Sequence, residues 1–387
     1  MDQSTIPGCP APDANPRRPA MAVPRFACDT HAHVFDATRF NYQATRAYTP
    51  PDNPVNRLLA LHDTLGIARG VVVQASVHGA DNSALLDAVR THPDRLRAIA
   101  AVTEDVTDRE LAELNAAGVR GIRVNLVDRG GMPFRSLDAL AHMADRIRDM
   151  KWHIELLVHV ETCAELRRLF TGLGVPVSVG HVGYTRVTNG LEHPGYREFL
   201  SLLRDGYGWV KLTGPYRISA QERFPYDDVT PFVQAVVEAA PDRVIWGSDW
   251  PHVMLTRPMP NDGDLLDVLG AWVPDTAQRE RITSPIRNGS TDLRPYLVGR
   301  TRHKGASPCD RLVYAFGRAL VAYSANAASW TAEYAKAHSH IRFQRWTYSL
   351  RFGYSALQAP VHDAIKFAHE INREAEEHGQ HDETDSR

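Results

Sequence analysis

Two histidines separated by one residue are the first feature of the sequence that could do chemistry. His31 and His33 follow a short apolar lead, 23–27, and lie in the segment Cys28-Asp29-Thr30-His31-Ala32-His33. Side chains two positions apart on a strand point to the same face, so both imidazoles can enter one cavity. A neutral imidazole binds a metal ion, polarises a carbonyl or accepts a proton near neutral pH. Because the chain has 18 histidines, such a pair can occur by chance, and the polar residues that accompany it decide whether it belongs to a site.

The strands that would position this pair recur along the chain as short apolar runs. Runs rich in Val and Ile are typical of parallel strands that are buried on both faces. We predict eight strands, at Arg25–His33, Gly70–Ala75, Ala98–Thr103, Gly121–Leu126, His153–His159, Val175–Val182, Trp209–Thr213 and Arg243–Ser248. Amphipathic segments between them predict helices. These are Asn56–Leu65, Ser83–Thr91, Asp108–Ala117, Leu137–Met150, Glu161–Thr171, His193–Asp205 and Thr230–Ala239.

This alternation of strand and helix predicts an α/β fold, a (β/α)8 TIM barrel. The rival is a doubly wound sheet, which should carry a glycine-rich phosphate turn after its first strand. The chain has His31-Ala32-His33 there instead. We therefore expect a disordered lead at 1–22, a barrel at 23–288 and a C-terminal extension at 289–387. The extension carries no recognisable motif, and its one plausible helix is Asp310–His338.

Composition limits the classes of partner and compartment. The 44 basic and 46 acidic residues are nearly balanced, so neither a nucleic acid nor a membrane surface is indicated as a partner. No apolar run is long enough to span a bilayer, and the N-terminus lacks the apolar core of a signal peptide. The four cysteines form no C-x-x-C pair, which fits a reducing compartment. We expect a cytoplasmic protein.

Further polar residues stand at the predicted C-terminal ends of the strands, where such a barrel carries its active site. They are His31 and His33 after strand one, Ser76 after strand two, Arg123 on strand four with Arg129 beyond it, His181 after strand six, Arg217 after strand seven, and Asp249 and His252 after strand eight. Any one of them can be a structural hydrogen-bonding residue. Their shared place on one rim predicts a single site.

A carboxylate among histidines indicates activation of water. Asp249 can take a proton from water held near the three histidines, which can polarise a carbonyl directly or through a divalent ion. The planar guanidinium of arginine binds carboxylates through two parallel hydrogen bonds. The three arginines therefore predict a small anionic substrate. The alternative is that some of them pair with acidic residues of the rim.

The sequence resembles the amidohydrolase superfamily in three motifs. They are His31-Ala32-His33, Gly180-His181-Val182-Gly183 and Trp246-Gly247-Ser248-Asp249-Trp250-Pro251-His252. Within the superfamily it is similar to the amidohydrolase-related group that includes 2-pyrone-4,6-dicarboxylate lactonase. The closer similarity is carried by Val73–Asn82, by Gly121–Asn125 with Arg129, and by Asp242–Asp249. The resemblance extends from about Phe26 to Arg287.

The resemblance implies that the protein opens a cyclic ester by hydrolysis during the breakdown of aromatic compounds. Asp249 would be the general base, the three histidines would flank water and carbonyl, and the three arginines would bind carboxylates. Tyr48 and Ser76 match positions that contact substrate in the group, and His252 is a further predicted contact. Partners beyond the substrate are limited to a possible second copy of the chain.

The resemblance leaves the cofactor open. In most of the superfamily, residues that match His31, His33, His181 and Asp249 bind one or two divalent ions, whereas the lactonase branch works without one. Nitrogen and oxygen ligands without cysteine would suit zinc or manganese. We expect no obligatory metal, and one divalent ion at these four residues is the alternative.

Three departures from the lactonase pattern concern the substrate. Tyr184 stands where the pattern has an arginine, Leu157 where it has a tyrosine, and Met254 where it has an asparagine. These changes predict a related lactone with one acid group or with a different anionic group. Two other functions stay open, a metal-dependent decarboxylase of an aromatic or muconate-type acid and an inactive barrel that only binds ligand.

Overall fold

The computed structural model describes residues 6–127 and 134–284. The predicted C-terminal extension, its helix Asp310–His338 and the predicted site residue Arg129 lie outside these ranges. Within them, no helix is both long enough and apolar enough to cross a membrane.

Eight parallel strands form one sheet in sequential order, which confirms the predicted barrel. They are β1 (Cys28–Ala32), β2 (Arg69–Val73), β3 (Leu96–Ala100), β4 (Val119–Asn125), β5 (His153–Leu157), β6 (Val177–Val179), β7 (Trp209–Leu212) and β8 (Val244–Trp246). The first strand meets the segment after the last one, because His33 N–H donates to Trp250 O at 2.8 Å and Asp249 N–H donates to His31 O at 2.9 Å. Barrel closure thus brings the histidine pair next to Asp249.

Alternation along each strand sorts its side chains between two apolar clusters. On β2, Val71 and Val73 belong to a small cluster with Ile99, Trp209 and Cys28, whereas Val72 belongs to the large cluster that contains the helices. Successive side chains on a strand face opposite sides, so the small cluster fills the barrel and the large one surrounds it. A strand of this barrel therefore needs apolar side chains on both of its faces.

Nine helices lie among the described residues. They are α1 (Val55–Leu65), α2 (Ser83–Thr91), α3 (Asp108–Ala117), α4 (Leu137–Arg148), α5 (Leu166–Thr171), α6 (Pro194–Arg204), α7 (Thr230–Ala239), α8 (Asp262–Trp272) and α9 (Thr276–Thr283). The first seven were predicted, although α5 begins five residues later than expected because its first predicted turn is irregular. The last two were not predicted. Asn261 caps α8 by accepting a hydrogen bond from Gly263 N–H.

The N-terminal lead, which we predicted to be disordered, lies against the barrel from residue 6 onward. Cys9 N–H donates to Thr49 O at 2.9 Å, and Thr49 N–H donates to Pro7 O at 2.8 Å. Farther along, Arg17 forms salt bridges with Asp264 and Asp267 of α8. Backbone hydrogen bonds and salt bridges hold this segment on the barrel. Neither kind of contact requires a periodic pattern of apolar residues, so the sequence carries no signal of them.

Candidate active site

Asp249 is the buried centre of the site. It follows β8 with a left-handed φ of 65° and has no exposed surface. Its Oδ2 accepts hydrogen bonds from Tyr216 Oη at 2.7 Å and from Arg217 Nε at 2.6 Å. Burial alone would raise the pKa of the Asp249 carboxyl, but Arg217, His181 and His31 hold that pKa well below its usual range. Asp249 is therefore a carboxylate, ready to accept a proton.

The second oxygen of Asp249 faces His31. Asp249 Oδ1 lies 3.8 Å from His31 Nε2, and both atoms are buried without a hydrogen-bond partner in the described part of the chain. On its other side His31 Nδ1 lies 3.1 Å from Glu155 Oε1. Because a carboxylate only accepts, Glu155 favours a hydrogen on Nδ1 and leaves a lone pair on Nε2.

Glu155 and Lys211 form a buried ion pair beneath His31. Lys211 Nζ contacts Glu155 Oε2 and donates to Thr30 O at 2.6 Å. Burial would raise the pKa of Glu155, but Lys211 and His31 hold it well below its usual range. Sequence reasoning missed this pair. The signal that could have indicated the pair is that Glu155 and Lys211 are charged residues inside otherwise apolar predicted strands.

His33 presents a second lone pair to the same space. Its Nδ1–H donates to Val73 O at 2.8 Å, so Nε2 carries no hydrogen when the ring is neutral. Burial and the neighbouring His31 lower the pKa of His33 well below its ordinary value, and the ring is neutral at pH 7. The centroids of the His31 and His33 rings lie 5.0 Å apart, which places both imidazoles in one cavity as the spacing predicted.

His181 completes the set from β6. Its ring centroid lies 5.4 Å from that of His31, and its Nδ1 is 3.9 Å from Asp249 Oδ2. Thr213 Oγ1 accepts from His181 N–H at 2.9 Å and lies 2.8 Å from Nδ1, which fixes the ring. Burial lowers the pKa of His181 well below its ordinary value, so this imidazole is also neutral.

The predicted arginines occupy different positions. Arg123 on β4 is buried, donates to Gln74 O at 3.3 Å and contributes to the low pKa of His33 through its charge. Arg217 faces Asp249, so the carboxylate it binds in this structure belongs to the protein. Arg129 lies outside the described residues. Arg186, two residues after Tyr184, has an exposed side chain.

Tyr48 and Ser76 lie on neighbouring loops of the rim. Tyr48 is buried in a cluster that contains Ala75 and Val77, the residues on either side of Ser76. Ser76 itself is half-buried at the start of a short 3-10 segment, Ser76–His78. The structure thus brings together two residues that the sequence predicted as substrate contacts.

His252 lies deeper than the prediction of a substrate contact requires. It is fully buried, with Nδ1 2.8 Å from Tyr216 Oη and Nε2 3.0 Å from Asp262 Oδ1. Both ring nitrogens are already bonded to protein, so neither is left for substrate. Tyr216 and Asp262 were missed by sequence reasoning, and no spacing signal links them to His252.

The residues that depart from the lactonase pattern differ in exposure. The Tyr184 ring lies 5.3 Å from the His181 ring and stacks on His159 at 4.6 Å. Leu157 is buried, and its carbonyl accepts from Leu126 N–H, whereas Met254 is 44 % exposed. Tyr184 therefore places an aromatic ring beside His181.

The donor set is suited to a cation. Ligand atoms of His31, His33 and Asp249 lie within 4.8 Å of one another. Two imidazole lone pairs and a carboxylate oxygen match the three protein ligands of a catalytic zinc site. The unpartnered Nε2 of His31 and Oδ1 of Asp249 fit such an ion. His181, the fourth predicted ligand, is outside this group of three.

Comparison with known proteins identifies relatives along the whole barrel. The amidohydrolase family model matches residues 28–284. A 2-pyrone-4,6-dicarboxylate hydrolase of Comamonas testosteroni is 39% identical over 71% of this chain and 93% of its own. A 4-sulfomuconolactone hydrolase of Rhizobium radiobacter is also 39% identical, over 73% of this chain and 95% of its own.

A solved structure is similar over the same region. The crystal structure of a probable 2-pyrone-4,6-dicarboxylic acid hydrolase from Acinetobacter baumannii, with citric acid bound, is 30% identical. It superposes with a TM-score of 0.58 over 67% of this chain and 96% of that one. The matched family residues, from β1 to the end of α9, include every described residue of the site. The chain belongs to the amidohydrolase family.

Proposed function

We propose that this protein is a hydrolase that opens a small anionic lactone in the breakdown of aromatic compounds. The observation that carries the proposal is the free Oδ1 of ionised Asp249 facing the lone pair of His31 Nε2 in a buried cavity. Two relatives at 39% identity are named as lactone hydrolases, one for a pyrone dicarboxylate and one for a sulfomuconolactone. The names and the geometry support the same reaction class.

Asp249 is the general base of the reaction. A water between Asp249 Oδ1 and His31 Nε2 gives a proton to the carboxylate while its oxygen attacks the ester carbonyl carbon. The tetrahedral intermediate then collapses, the bond from the carbonyl carbon to the ring oxygen breaks, and that oxygen takes the proton from Asp249. One lactone and one water become one open-chain hydroxy acid. Such proton transfer contributes about 10²–10⁴-fold to the rate.

His181 is the residue that can stabilise the carbonyl oxygen. When the Thr213 hydroxyl donates to Nδ1, the neutral ring carries its hydrogen on Nε2 and can donate it to a developing oxyanion. His31 and His33 present lone pairs instead, because the Glu155 carboxylate 3.1 Å from His31 Nδ1 favours a hydrogen there and because His33 Nδ1–H donates to Val73 O. The three histidines therefore have unequal roles.

A divalent ion is the cofactor that this donor set would accept. His31, His33 and Asp249 would hold it, with His181 beside them. When bound, it would polarise the substrate carbonyl and lower the pKa of water. The expectation from the sequence, that no metal is obligatory, is tested by metal analysis of the purified protein and by assay after chelation. Activity that survives complete removal of metal would support it.

The proposed substrate carries its anionic group near Arg123. Arg217 is neutralised by Asp249, and Tyr184 replaces a cation of the lactonase pattern, so a second carboxylate would lose a charged partner. A lost charged hydrogen bond costs about 1.5–3 kcal/mol. We therefore propose a muconolactone-type ring, or a lactone with one acid group or a different anionic group, ahead of pyrone dicarboxylate.

The test is a direct assay of ring opening across a small panel of lactones. Faster turnover of muconolactone-type substrates would support the proposal, and efficient turnover of pyrone dicarboxylate would contradict its substrate preference. Release of carbon dioxide from aromatic or muconate-type acids would instead favour the decarboxylase. Failure on every lactone and acid, with ligand binding retained, would favour the inactive barrel.

A further inference from the structure

A chain of buried side chains runs from Asp249 to the beginning of α8. Tyr216 Oη lies 2.7 Å from Asp249 Oδ2 and 2.8 Å from His252 Nδ1. His252 Nε2 lies 3.0 Å from Asp262 Oδ1. The four side chains are between 0 % and 3 % exposed, so no solvent separates one contact from the next.

The three contacts need three hydrogens, and the charge on Asp249 sets their direction. An ionised carboxylate only accepts, so Tyr216 must give its single hydroxyl hydrogen to Asp249. The Tyr216 oxygen is then free only to accept, and His252 must carry a hydrogen on Nδ1.

The far end of the chain supplies the last hydrogen. With Nδ1–H committed to Tyr216, the contact between His252 Nε2 and Asp262 Oδ1 needs one more hydrogen. Either His252 is an imidazolium beside a carboxylate, or neutral His252 accepts from a protonated Asp262. Asp262 Oδ2 is buried without a hydrogen-bond partner among the described residues.

We propose that Tyr216, His252 and Asp262 are positioning residues that orient the general base. Tyr216 and Arg217 both donate to Oδ2 of Asp249. This arrangement leaves Oδ1 as the free basic oxygen that faces His31. A carboxylate without this chain could turn and offer either oxygen. The inference rests on the proposed function, in which Asp249 takes the proton from water.

The first test compares two buried tyrosines. Tyr216→Phe removes the donor to Asp249, whereas Tyr196→Phe removes an equally buried hydroxyl that donates to Phe232 O at 3.1 Å, outside the site. We expect Tyr216→Phe to lower kcat on the preferred lactone by about tenfold to a hundredfold with little change in KM, as for a hydrogen bond to a charged group. Tyr196→Phe should keep kcat. Equal kcat in the two variants would overturn the proposal.

The second test changes Asp262, which touches neither substrate nor Asp249. An asparagine there can turn its amide hydrogen toward His252 Nε2 and keep the direction of the chain, but an alanine cannot. We expect Asp262→Ala to lower kcat and Asp262→Asn to restore most of it. Asp264→Asn, in the same turn of α8, alters only a surface ion pair with Arg17, so it is the matched control and should keep kcat. Equal loss in Asp262→Asn and Asp262→Ala would overturn the proposal.

A third measurement does not depend on turnover. Nitrogen NMR of the full chain, labelled at its histidine rings, reports whether His252 carries hydrogen on Nδ1. We expect a protonated Nδ1 whose signal shifts in Tyr216→Phe but not in Tyr196→Phe. An unprotonated Nδ1 would overturn this inference alone, whereas absence of lactone turnover in the unchanged protein would overturn the proposed function.

Discussion

Asp249 Oδ1 lies 3.8 Å from His31 Nε2, and neither buried atom has a hydrogen-bond partner within the described ranges. On the other side of each residue, Asp249 Oδ2 accepts hydrogen bonds from Tyr216 and Arg217, and His31 Nδ1 lies 3.1 Å from Glu155 Oε1. Leaving a buried polar atom unpaired costs about 1–3 kcal/mol. The space between these two atoms is therefore suited to a water molecule, a cation or the reacting atoms of a substrate.

Replacement of Asp249, the proposed general base, should remove most turnover and keep the fold. We expect Asp249→Asn to lower kcat by about 10²–10⁴-fold, because the amide cannot take a proton from water. The check is kcat on the preferred lactone, with circular dichroism to verify folding. Asp87→Asn, which alters an exposed ion pair with Arg39, is the control. Near-normal kcat in Asp249→Asn would show that another residue activates water.

A cation introduced at position 184 should widen the substrate range. Tyr184→Arg places a guanidinium beside the His181 ring, where the lactonase pattern has one. We expect kcat/KM for pyrone dicarboxylate to rise by about tenfold or more relative to a lactone with one acid group. Tyr184→Phe, which adds no charge, should leave that ratio unchanged. If both variants gave the same ratio, position 184 would not select the anionic group.

Buried His153 should make the folded state sensitive to acid. Burial and the charge of Lys211 lower the pKa of His153 from its model-compound value of 6.5 to about 4. The folded state thus favours the neutral ring. The stability that depends on this ring is complete above about pH 6.5, where the unfolded ring is also neutral, and is lost as the pH falls toward 4.

The measurement is the free energy of unfolding by urea at pH 6.5 and pH 5. Since one pKa unit corresponds to about 1.4 kcal/mol, we expect the loss over this interval to be about 2 kcal/mol smaller in His153→Gln than in the unchanged protein. His142→Gln, on the exposed face of α4, should behave like the unchanged protein. Parallel losses in all three proteins would contradict the assigned burial of His153.

Removal of the N-terminal segment should weaken substrate binding. The two backbone hydrogen bonds of Thr49 to Pro7 and Cys9 hold the loop that carries Tyr48. Each contributes about 1 kcal/mol, so deletion of residues 1–12 should raise KM by about fivefold to thirtyfold and change kcat less. Cys9→Ala keeps both backbone bonds and serves as the control. An unchanged KM after deletion would separate this segment from Tyr48.

The sequence by itself determined the barrel and the place of its active site. Short runs such as Val71–Val73 can satisfy both of their apolar faces only between a filled interior and a layer of helices. The period of two between His31 and His33 set their common direction, and the strand-eight motif identified Asp249. The strands and the common direction of the two histidines need only local chain geometry, whereas the role of Asp249 was also implied by the resemblance to the family. Each observed strand overlaps its predicted range, although β3 lies two to three residues earlier than predicted.

Only the tertiary structure decided which partner each polar side chain has. Glu155 and Lys211 are 56 residues apart, and barrel closure alone brings them together under His31. The same closure brought Arg217 against Asp249, and it enclosed His252 between Tyr216 and Asp262. A buried donor needs an acceptor, and the packed chain can supply one from a segment far away in the sequence. The spacing of residues along the sequence therefore does not indicate which acceptor it is.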